Sequence, residues 1–595
     1  MQMEGGPIQQ GGPVPQSEPL FQSAKDPQIP NNAGGFVYKL DDMKRLLRFI
    51  IIGSERTYYA REKELDRENA RCIDRLIKAN RGAEVLQTIR DISISRRNVR
   101  QNALLLAYAI CARSNDSDTK SAAYALMSEI CRIPTHLFMF IKYCEEVSKD
   151  ERPDTGTGWG RAHKRAIGNW YTSFEKNPEK LARLITKFKN RENWCHKDVL
   201  RLSHTCTEDQ VMAFIFSYII NGYEKAMAKF RQTVLEMSQE EASKFRKISG
   251  LIKVFDDAAR CGDANNLCAM IKEHKLAWEQ CNQNLRNKKE IWCALLPHMP
   301  PEALIRNLGK MTSYGMFAEN SEDEQEALDK IGSINVPLDA ADQEPRERSV
   351  EGNEDIEDER PWLSRNSYKK FLHPLRIFFA WIIYKTGHGD RGNSTWGPNT
   401  RITNALEKAF YRGYTAVEPT GQTFYLAVSA SPSMSRHIFK SRTVTCSMAA
   451  ATMLMLTART EENCIIKAFG QRTEDLDISP TDTLEQVEHK MRNAQHGQPT
   501  DCAEPIKDAI DMQRKDIDVF VIYTDSETCR GNVHPYQALL QYRSYSENPR
   551  VKMVVCGMCA TDLTIADKED PNMLDIAGFD SSAPWIISEF ARGQL

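Results

Sequence analysis

The chain has 595 residues, a hydrophobic fraction of 41% and a net charge of −2, from 79 Lys and Arg against 81 Asp and Glu. One hydrophobic core rarely exceeds about 250 to 300 residues, so this length and composition exclude a single small domain and a disordered protein. The balanced charge also excludes a globally basic nucleic-acid protein, so any such surface must be a local patch.

Cysteines and apolar runs indicate the compartment. The 16 cysteines have no regular spacing, and the Gln- and Pro-rich start of the chain does not resemble a secretory signal, so we expect a reducing, intracellular environment. The longest apolar runs, residues 50–52 and 378–383, are far shorter than the roughly 20 residues that cross a bilayer. The sequence therefore predicts no membrane segment.

The first part of the chain is predicted to be helical after a disordered tail. Residues 1–35 are rich in Gln, Pro and Gly, the composition of a flexible segment. Between about residues 37 and 312 apolar side chains recur at helical spacing, as in Leu181, Leu184 and Ile185. Similar stripes occupy residues 41–52, 69–78, 102–111, 120–131, 211–230 and 290–296. This succession predicts stacked helix pairs, with a compact bundle as the alternative.

The composition and the apolar periodicity change twice in the remainder of the chain. Residues 319–360 are dominated by acids and predict a solvated loop inserted between helices, and residues 373–385 then predict one more helix. Short apolar runs follow and predict buried strands at residues 424–428, 464–469, 519–523 and 552–556. The helical segments between these strands occupy residues 442–457, 483–492, 504–513 and 535–545. The alternation predicts a doubly wound, mostly parallel sheet, which binds ligands at the carboxyl ends of its strands.

Six motifs give the sequence a family resemblance. They are Gly53-Ser-Glu with Thr57-Tyr-Tyr, Cys131-Arg-Ile-Pro-Thr-His-Leu-Phe, Gly158-Trp-Gly-Arg-Ala, Trp194-Cys-His-Lys-Asp-Val-Leu-Arg-Leu-Ser-His, Arg306-Asn-Leu-Gly-Lys-Met-Thr and Tyr384-Lys-Thr-Gly-His-Gly-Asp-Arg-Gly. With these motifs the sequence resembles the sixty-kilodalton Ro autoantigen family, in which a TROVE module precedes a von Willebrand A domain. The resemblance covers residues 37–312 and 373–590.

The resemblance implies an α plus α/β fold, in which a ring-shaped domain of HEAT-like α-helical repeats is sealed by the von Willebrand A-type domain. The corresponding boundaries are residues 1–35 for the tail, 36–400 for the TROVE domain with its acidic insertion, and 401–595 for the A-type domain. It also implies a scaffold that binds Y RNAs on its outer surface and takes ends of misfolded small RNAs into its central hole. Such a protein serves small-RNA quality control in the cytoplasm, with conditional entry into the nucleus. Neither DNA nor a membrane is an expected partner.

One basic segment is the predicted RNA surface. Residues 161–204 contain eleven Lys or Arg against four acids, a local excess of seven positive charges. Cations attract a phosphate backbone, and aromatic or imidazole rings stack on unpaired bases. The predicted RNA-binding residues are Arg161, Lys164, Arg165, Arg191, Trp194, His196, Lys197, Arg201 and His204. A merely solvated charged face with buried tryptophans is the alternative. The resemblance favours RNA, because His196 coincides with the histidine of the family's Y RNA motif.

The A-type domain carries a modified metal motif. The family's adhesion site uses Asp-x-Ser-x-Ser, then Thr and Asp from two later loops, and its hard oxygens suit Mg²⁺. Here the first motif begins with Ser429, so the predicted ligands are Ser431, Ser433, Thr500 and Asp525. A ligand set with one carboxylate binds a divalent cation weakly, so either water or a partner's acid completes the site, or the hydroxyls only hydrogen-bond the loops.

Two other classes of function stay open. A protein-interaction adaptor could use the helical array and the A-type domain to bind proteins, and its RNA binding would depend little on salt. A metal-dependent hydrolase or nuclease is disfavoured because the site lacks its leading acid and an evident general base. We therefore expect a protein that is not an enzyme.

Overall fold

The computed structural model describes residues 13–20, 28–31, 33–52, 62–94, 98, 101–151, 159–336, 372, 374–389, 393–413, 419–438, 443–494, 500–526, 528, 530–558, 563–579 and 583–594. The motif residues 53–59, 158 and 390–392, parts of the predicted tail and residues 337–360 of the predicted insertion lie outside this set. The chain forms two compact units: Ile73–Gly413, called the helical unit, and Met1–Cys72 with Tyr414–Leu595, called the sheet unit.

The N-terminal segment begins with two short strands and two helices, β1 Ile29–Pro30, β2 Phe36–Lys39, α1 Asp42–Ile52 and α2 Glu62–Lys78. Strand β2 pairs antiparallel with β1, and Val37 is buried in the core of the sheet unit. The described parts of the predicted tail therefore differ from a disordered segment, because they are hydrogen-bonded to the sheet unit.

In its described residues the helical unit is a succession of helices interrupted by one short hairpin. Its helices are α3 Gly82–Ile94, α4 Gln101–Arg113, α5 Ser117–Ala125, α6 Met127–Ile130, α7 Pro134–Glu151, α8 Arg161–Thr172, α9 Pro178–Lys187, α10 His196–Ser203, α11 Gln210–Asn221, α12 Tyr223–Phe230, α13 Thr233–Glu236, α14 Gln239–Arg260, α15 Ala264–His274, α16 Lys289–Leu295, α17 Pro301–Ser313, α18 Glu322–Gly332, α19 Pro374–Thr386 and α20 Thr400–Arg412. The hairpin, between α9 and α10, is β3 Asn190–Arg191 with β4 Trp194–Cys195.

Helices in this unit pack mainly against helices close in sequence. Helix α3 contacts α4, α4 contacts α7, α15 contacts α16, and α19 contacts α20. The predicted stripe is buried as expected, with Leu181 and Ile185 inside the array. Local pairing of this kind fits stacked repeats better than a compact bundle. The closed ring that the resemblance implies stays a prediction.

Two predicted helices are each divided in the structure. The stripe at residues 211–230 breaks at Gly222, whose φ of 85° is a conformation that residues with a Cβ rarely adopt. The stripe at residues 120–131 divides at Leu126 into α5 and α6. Apolar periodicity continues across both breaks, so the pattern alone did not reveal them.

The prediction of a solvated loop from residue 319 is wrong for its described part. Ser321 caps helix α18 by accepting a hydrogen bond from the Glu324 backbone N–H. The Glu324 carboxylate is buried, and it accepts hydrogen bonds from Asn399 and Arg401, each at 2.6 Å. A paired acid can be buried, so acidic composition did not imply exposure here.

The sheet unit is built on a six-stranded sheet. Its remaining elements are β5 Thr423–Ser429, α21 Cys446–Thr460, β6 Asn463–Phe469, β7 Thr473–Asp475, α22 Leu484–Asn493, α23 Glu504–Asp511, β8 Val519–Thr524, α24 Pro535–Ser546, β9 Lys552–Gly557, β10 Leu563–Thr564, β11 Met573–Ala577 and α25 Ala583–Arg592. The strand order is β11-β9-β8-β5-β6-β7, parallel except for the edge strand β7. The predicted doubly wound class is confirmed.

Both faces of this sheet are buried. Tyr425, Phe520 and Met553 belong to one core with helices α23 and α24, and the alternate residues Leu426 and Val521 are buried on the other face. Because both faces are buried, the strands consist of continuous runs of apolar residues in the sequence. The chain leaves β5 for β6 on one side and later adds β8 on the other, so a topological switch point lies between β5 and β8.

The compact units differ from the predicted domain boundaries. Helix α1 packs against β11, where Arg48 Nη2 lies 2.5 Å from Asp575 Oδ2 and both side chains are 2% exposed. The chain up to Cys72 therefore groups with the sheet unit, and the second division falls after Gly413. Among the described helices, none combines the length and apolar character required for a membrane crossing.

Candidate functional site

Helices α8 and α10 pack against each other and carry most of the predicted cations. Helix α8 buries Ala166, Ile167 and Trp170, which leaves Arg161 and Arg165 exposed. Its Lys164 is partly exposed, and so is Lys197 of α10, whose Arg201 is exposed. We call Arg161, Lys164, Arg165, Lys197 and Arg201 the basic face.

The basic face is not neutralised within the described parts of the chain. Its five side chains form no ion pair with a described carboxylate. Other cations of the segment differ, since Arg183 pairs with Glu179 at 2.8 Å and Arg191 lies 3.5 Å from Glu192. Like charges this close repel one another, so the face is suited to attract an anion.

His196 lies in the interior, although the sequence predicted a direct RNA contact. It is the first residue of α10 and only 4% exposed. Its Nε2 lies 3.0 Å from the Phe188 carbonyl, which can only accept, so Nε2 carries the proton. Its Nδ1 then accepts a hydrogen bond from the Tyr171 hydroxyl at 2.7 Å. A ring that is buried and engaged at both nitrogens is not available to a base in this conformation, so the direct contact of His196 with RNA stays a prediction that its burial opposes.

The imidazole of His196 instead fixes the start of α10. It joins the last turn of α8 through Tyr171 and the end of α9 through Phe188, and its ring packs edge-on against Phe138 of α7 at 4.9 Å. Burial lowers its pKa from 6.5 to about 4, although the bond to Phe188 opposes this shift. A neutral His196 therefore holds the helix that presents Lys197 and Arg201.

The other predicted rings are accessible. Trp194 in β4 is partly exposed, and its ring centroid lies 5.6 Å from that of Trp159. His204 is exposed and ends α10 in the left-handed conformation, with φ of 52°. Both positions are compatible with contact to an unpaired base.

His163 is a residue that the sequence reasoning missed. It lies on α8 among the cations, yet it is buried, 3.4 Å from the Tyr124 hydroxyl and edge-on to Trp159. Burial, and then the nearby charge of Arg113, lowers its pKa to about 3. The sequence could have indicated this burial, because His163 follows Arg161 by two residues and therefore lies on the opposite side of the helix from the cations.

The three serines of the predicted metal motif lie together at the switch point. Ser429 ends β5, and its Oγ accepts a hydrogen bond from the Ser431 backbone N–H at 3.3 Å. The hydroxyls of Ser431 and Ser433 lie 2.8 Å apart and hydrogen-bond each other. All three side chains are buried.

The acids of the later loops have different surroundings. Asp525 follows β8 and is buried, and Thr500 is buried with its carbonyl 3.2 Å from the Arg530 N–H. The neighbouring Asp501 pairs with Lys507 at 2.7 Å, and its Oδ1 accepts from the Ala503 N–H at 2.9 Å. Asp501 is thus already neutralised by the protein.

This donor set fits a divalent cation only in part. Three hydroxyls and the Asp525 carboxylate are hard oxygens of the type that Mg²⁺ prefers, but they supply one negative charge. Within the described residues, no group of three or more His, Cys, Asp or Glu side chains is arranged to hold a metal. The fit is therefore incomplete without further oxygen ligands.

The N-terminal segment crosses the loops beside this edge. Gln16 is 0% exposed, and its amide nitrogen donates to Asp501 Oδ1 at 2.6 Å and to the Val533 carbonyl at 2.8 Å. Its amide oxygen accepts from the Thr528 hydroxyl. Gly531 passes so close that a Cβ there would lie 2.6 Å from the Gln16 amide nitrogen. Composition marked this segment as a tail, so the sequence reasoning missed these contacts.

The fold and the two sites define a protein that combines an α-helical repeat unit with a von Willebrand A-type unit. Residues 29–335 match the family model of the TROVE domain, and residues 423–591 match that of the Ro60 vWA domain. The chain belongs to the Ro60 family of TROVE-domain proteins.

Similar proteins span nearly the whole chain. A Caenorhabditis elegans protein named RNA-binding protein RO60 is 32% identical, over 96% of this chain and 91% of that relative. A Deinococcus radiodurans protein of the same name is 30% identical, over 96% of each chain. The crystal structure of the Deinococcus radiodurans RO (RSR) protein matches with a TM-score of 0.61 and 26% identity, covering 93% of this chain and 100% of that one.

Proposed function

We propose that this protein binds structured RNA through the basic face and does not act as an enzyme. The observation that carries the proposal is the group of five accessible cations on α8 and α10, which form no ion pair with described carboxylates. Phosphates that neutralise them release counterions, which favours binding. The names of the relatives agree with this proposal.

The RNA partners we propose are Y RNAs and misfolded small non-coding RNAs, bound by a scaffold that serves small-RNA quality control. Paired stems present regularly spaced phosphates to the basic face, and Arg191 and His204 extend the surface on either side of α10. We propose a cytoplasmic location with conditional entry into the nucleus. Cys111, Cys131 and Cys144 are buried as free thiols, which suits a reducing compartment.

The salt dependence of RNA binding tests the basic face. We expect Lys164→Ala, Arg165→Ala, Arg201→Ala together to weaken binding of a labelled stem RNA and to reduce the slope of log K against log salt by about 2 to 3, because each phosphate contact contributes about 0.7 to 0.9. Lys225→Ala, Lys229→Ala, Lys253→Ala removes equal charge from α12 and α14 and is the matched control.

Three results would contradict the proposal. An equal loss in both triple variants would mean that RNA responds to overall charge and not to this face. Wild-type binding with almost no salt dependence would favour the alternative function, a protein-interaction adaptor. Cleavage of the RNA by pure protein would contradict the proposal of a non-enzyme.

The role of His196 is tested with two substitutions. Gln can donate to the Phe188 carbonyl and accept from Tyr171, whereas Ala can do neither. If His196 acts by holding α10 in place, His196→Gln should bind RNA with near wild-type affinity, and His196→Ala should bind it more weakly. Equal losses in both variants would support a direct contact of the imidazole with RNA.

At the sheet unit we propose that a divalent cation binds only when a protein ligand supplies a carboxylate. Ser431, Ser433, Thr500 and Asp525 would contribute oxygens, and the external acid would replace the charge that Ser429 lacks. Calorimetric titration with Mg²⁺ or Mn²⁺, alone and with an Asp- or Glu-containing peptide, tests this proposal. Tight binding without the peptide would contradict it.

A further inference from the structure

An open groove of about 660 Å³ lies beside the basic face. One wall is helix α7, and the other is formed by the turn between β3 and β4 and by α10. The ion pair between Lys142 and Glu192, at 2.9 Å, links the two walls. The groove is continuous with the basic face, because Arg201 belongs to both.

The groove contains an accessible apolar platform. Trp194 lines it and is partly exposed, and the tilted Trp159 ring packs against it with a centroid distance of 5.6 Å. Trp159 is itself held by a hydrogen bond from its indole N–H to Glu145 at 3.0 Å. Leu202 also lines the groove and is 40% exposed, which adds to its apolar surface. The platform matches the flat face of an aromatic ligand.

The groove is lined by four carboxylates, those of Glu145, Glu146, Glu192 and Asp198, and by three cations. Lys142 lies 2.9 Å from Glu192 and 3.9 Å from Glu146, and Glu145 accepts the Trp159 indole N–H, so these groups are engaged within the protein. Asp198 is exposed and accepts a hydrogen bond from the Cys195 thiol at 2.8 Å, but it forms no ion pair with any described cation. Arg201, one turn further along α10, and Lys149 of α7 are both exposed. A carboxylate accepts N–H donors and repels phosphate, whereas the two cations attract phosphate.

We propose that this groove binds one unpaired guanine nucleotide of the RNA held by the basic face, an inference that rests on the proposed function. The base stacks on Trp194, its Watson–Crick edge faces Asp198, and its phosphate lies at Arg201 and Lys149. Guanine presents two adjacent N–H donors that a carboxylate accepts together. Adenine and cytosine place a ring acceptor beside their amino group, and uracil flanks its single N–H with carbonyls.

The experiment compares one stem RNA with a single bulged G, A, C or U against the same stem fully paired. Wild type should bind the bulged-G stem roughly 10-fold more tightly than the bulged-U stem, the scale of one well-formed base contact. Asp198→Asn should abolish this preference and leave the affinity for the paired stem unchanged. Trp194→Leu should reduce binding of every bulged stem to that of the paired stem.

Asp198→Asn is nearly isosteric at an exposed position, so it keeps the test valid even if Trp194→Leu folds poorly. Equal binding of all four bulges, unchanged by Asp198→Asn, would overturn the guanine site while leaving the basic face intact. Failure of the paired stem to bind would instead overturn the proposed function itself. Capture of an arginine-rich peptide that Asp198→Asn abolishes, without discrimination among bulges, would assign the groove to protein and overturn the proposal.

Discussion

His196 makes the stability of the helical unit depend on pH. Its pKa is lowered by burial to about 4 in the folded state and is near 6.5 when unfolded, so between these values the unfolded chain binds more protons. The contribution of neutral His196 to the free energy of unfolding is complete above pH 6.5 and is lost as the pH falls towards 4. The difference in pKa corresponds to about 3 kcal/mol.

Urea unfolding of wild type and His196→Gln at pH 7.5 and pH 4.5 measures this effect. We expect the free energy of unfolding to fall less on acidification in His196→Gln, because Gln does not titrate. Some dependence should remain in the variant, since burial also lowers the pKa of His163, to about 3. Identical pH profiles for both proteins would show that His196 is not buried in its neutral form.

Ser429 is the residue that separates this metal motif from the family pattern. We expect Ser429→Asp to raise Mn²⁺ affinity by at least about 10-fold, because it restores a carboxylate beside Ser431 and Ser433. Ser435→Asp adds the same charge at an exposed position of the same turn and is the control. Equal Mn²⁺ affinity of the two variants in calorimetry would mean that the loops do not form a metal site.

At this scale the sequence predicted the exposure of the cations but not the burial of the His196 imidazole. The cations of the basic face were predictable because no acid interrupts their helical spacing in α8. The burial of His196 was not, because it depends on Phe138, Tyr171 and Phe188, which belong to three other helices or their ends. Tertiary contacts of this kind leave no local pattern in the chain.

Elements were predictable where burial and periodicity agree. Strands β5, β6, β8 and β9 have apolar runs because the parallel sheet is covered on both faces. Strands β7 and β10 were missed, since they are two or three residues long and lie at edges. Strand β11 was missed because Asp575 interrupts its run, and Arg48 pairs with that acid in the folded chain.

The N-terminal strap, residues 13–20 and 28–31, is an element that only tertiary hydrogen bonds create. We expect Gln16→Ala to lower the free energy of unfolding by about 2 kcal/mol, because Asp501 and Thr528 lose a buried partner. Hydrogen exchange should quicken at residues 500–533. Gln87→Ala, on the exposed face of α3, should change stability by less than about 0.5 kcal/mol. Equal effects of the two changes would mean that the strap contributes no stability.

At the scale of the whole molecule, two features are hidden when the sequence is considered only by its net charge and its linear order. A net charge of −2 conceals the basic segment, and the order of the sequence conceals that the sheet unit takes its first part from residues 1–72. Asp575 is buried against Arg48 from α1, and strand β10 pairs with β2. Each contact joins residues more than 500 positions apart. A domain prediction that follows the order of the sequence therefore assigns the two partners to different domains.

A fragment of residues 414–595 should therefore be unstable alone. Without α1 the buried Asp575 has lost its guanidinium partner, and an uncompensated buried charge costs about 3 to 5 kcal/mol. We expect no cooperative thermal transition for this fragment by circular dichroism, and recovery of one when residues 1–72 are co-expressed as a separate chain. Co-expression with an Arg48→Met version should restore less stability, because Met fills the space without pairing the acid. A cooperative transition of the isolated fragment at the temperature of the restored complex would show that the N-terminal segment is dispensable to the sheet unit.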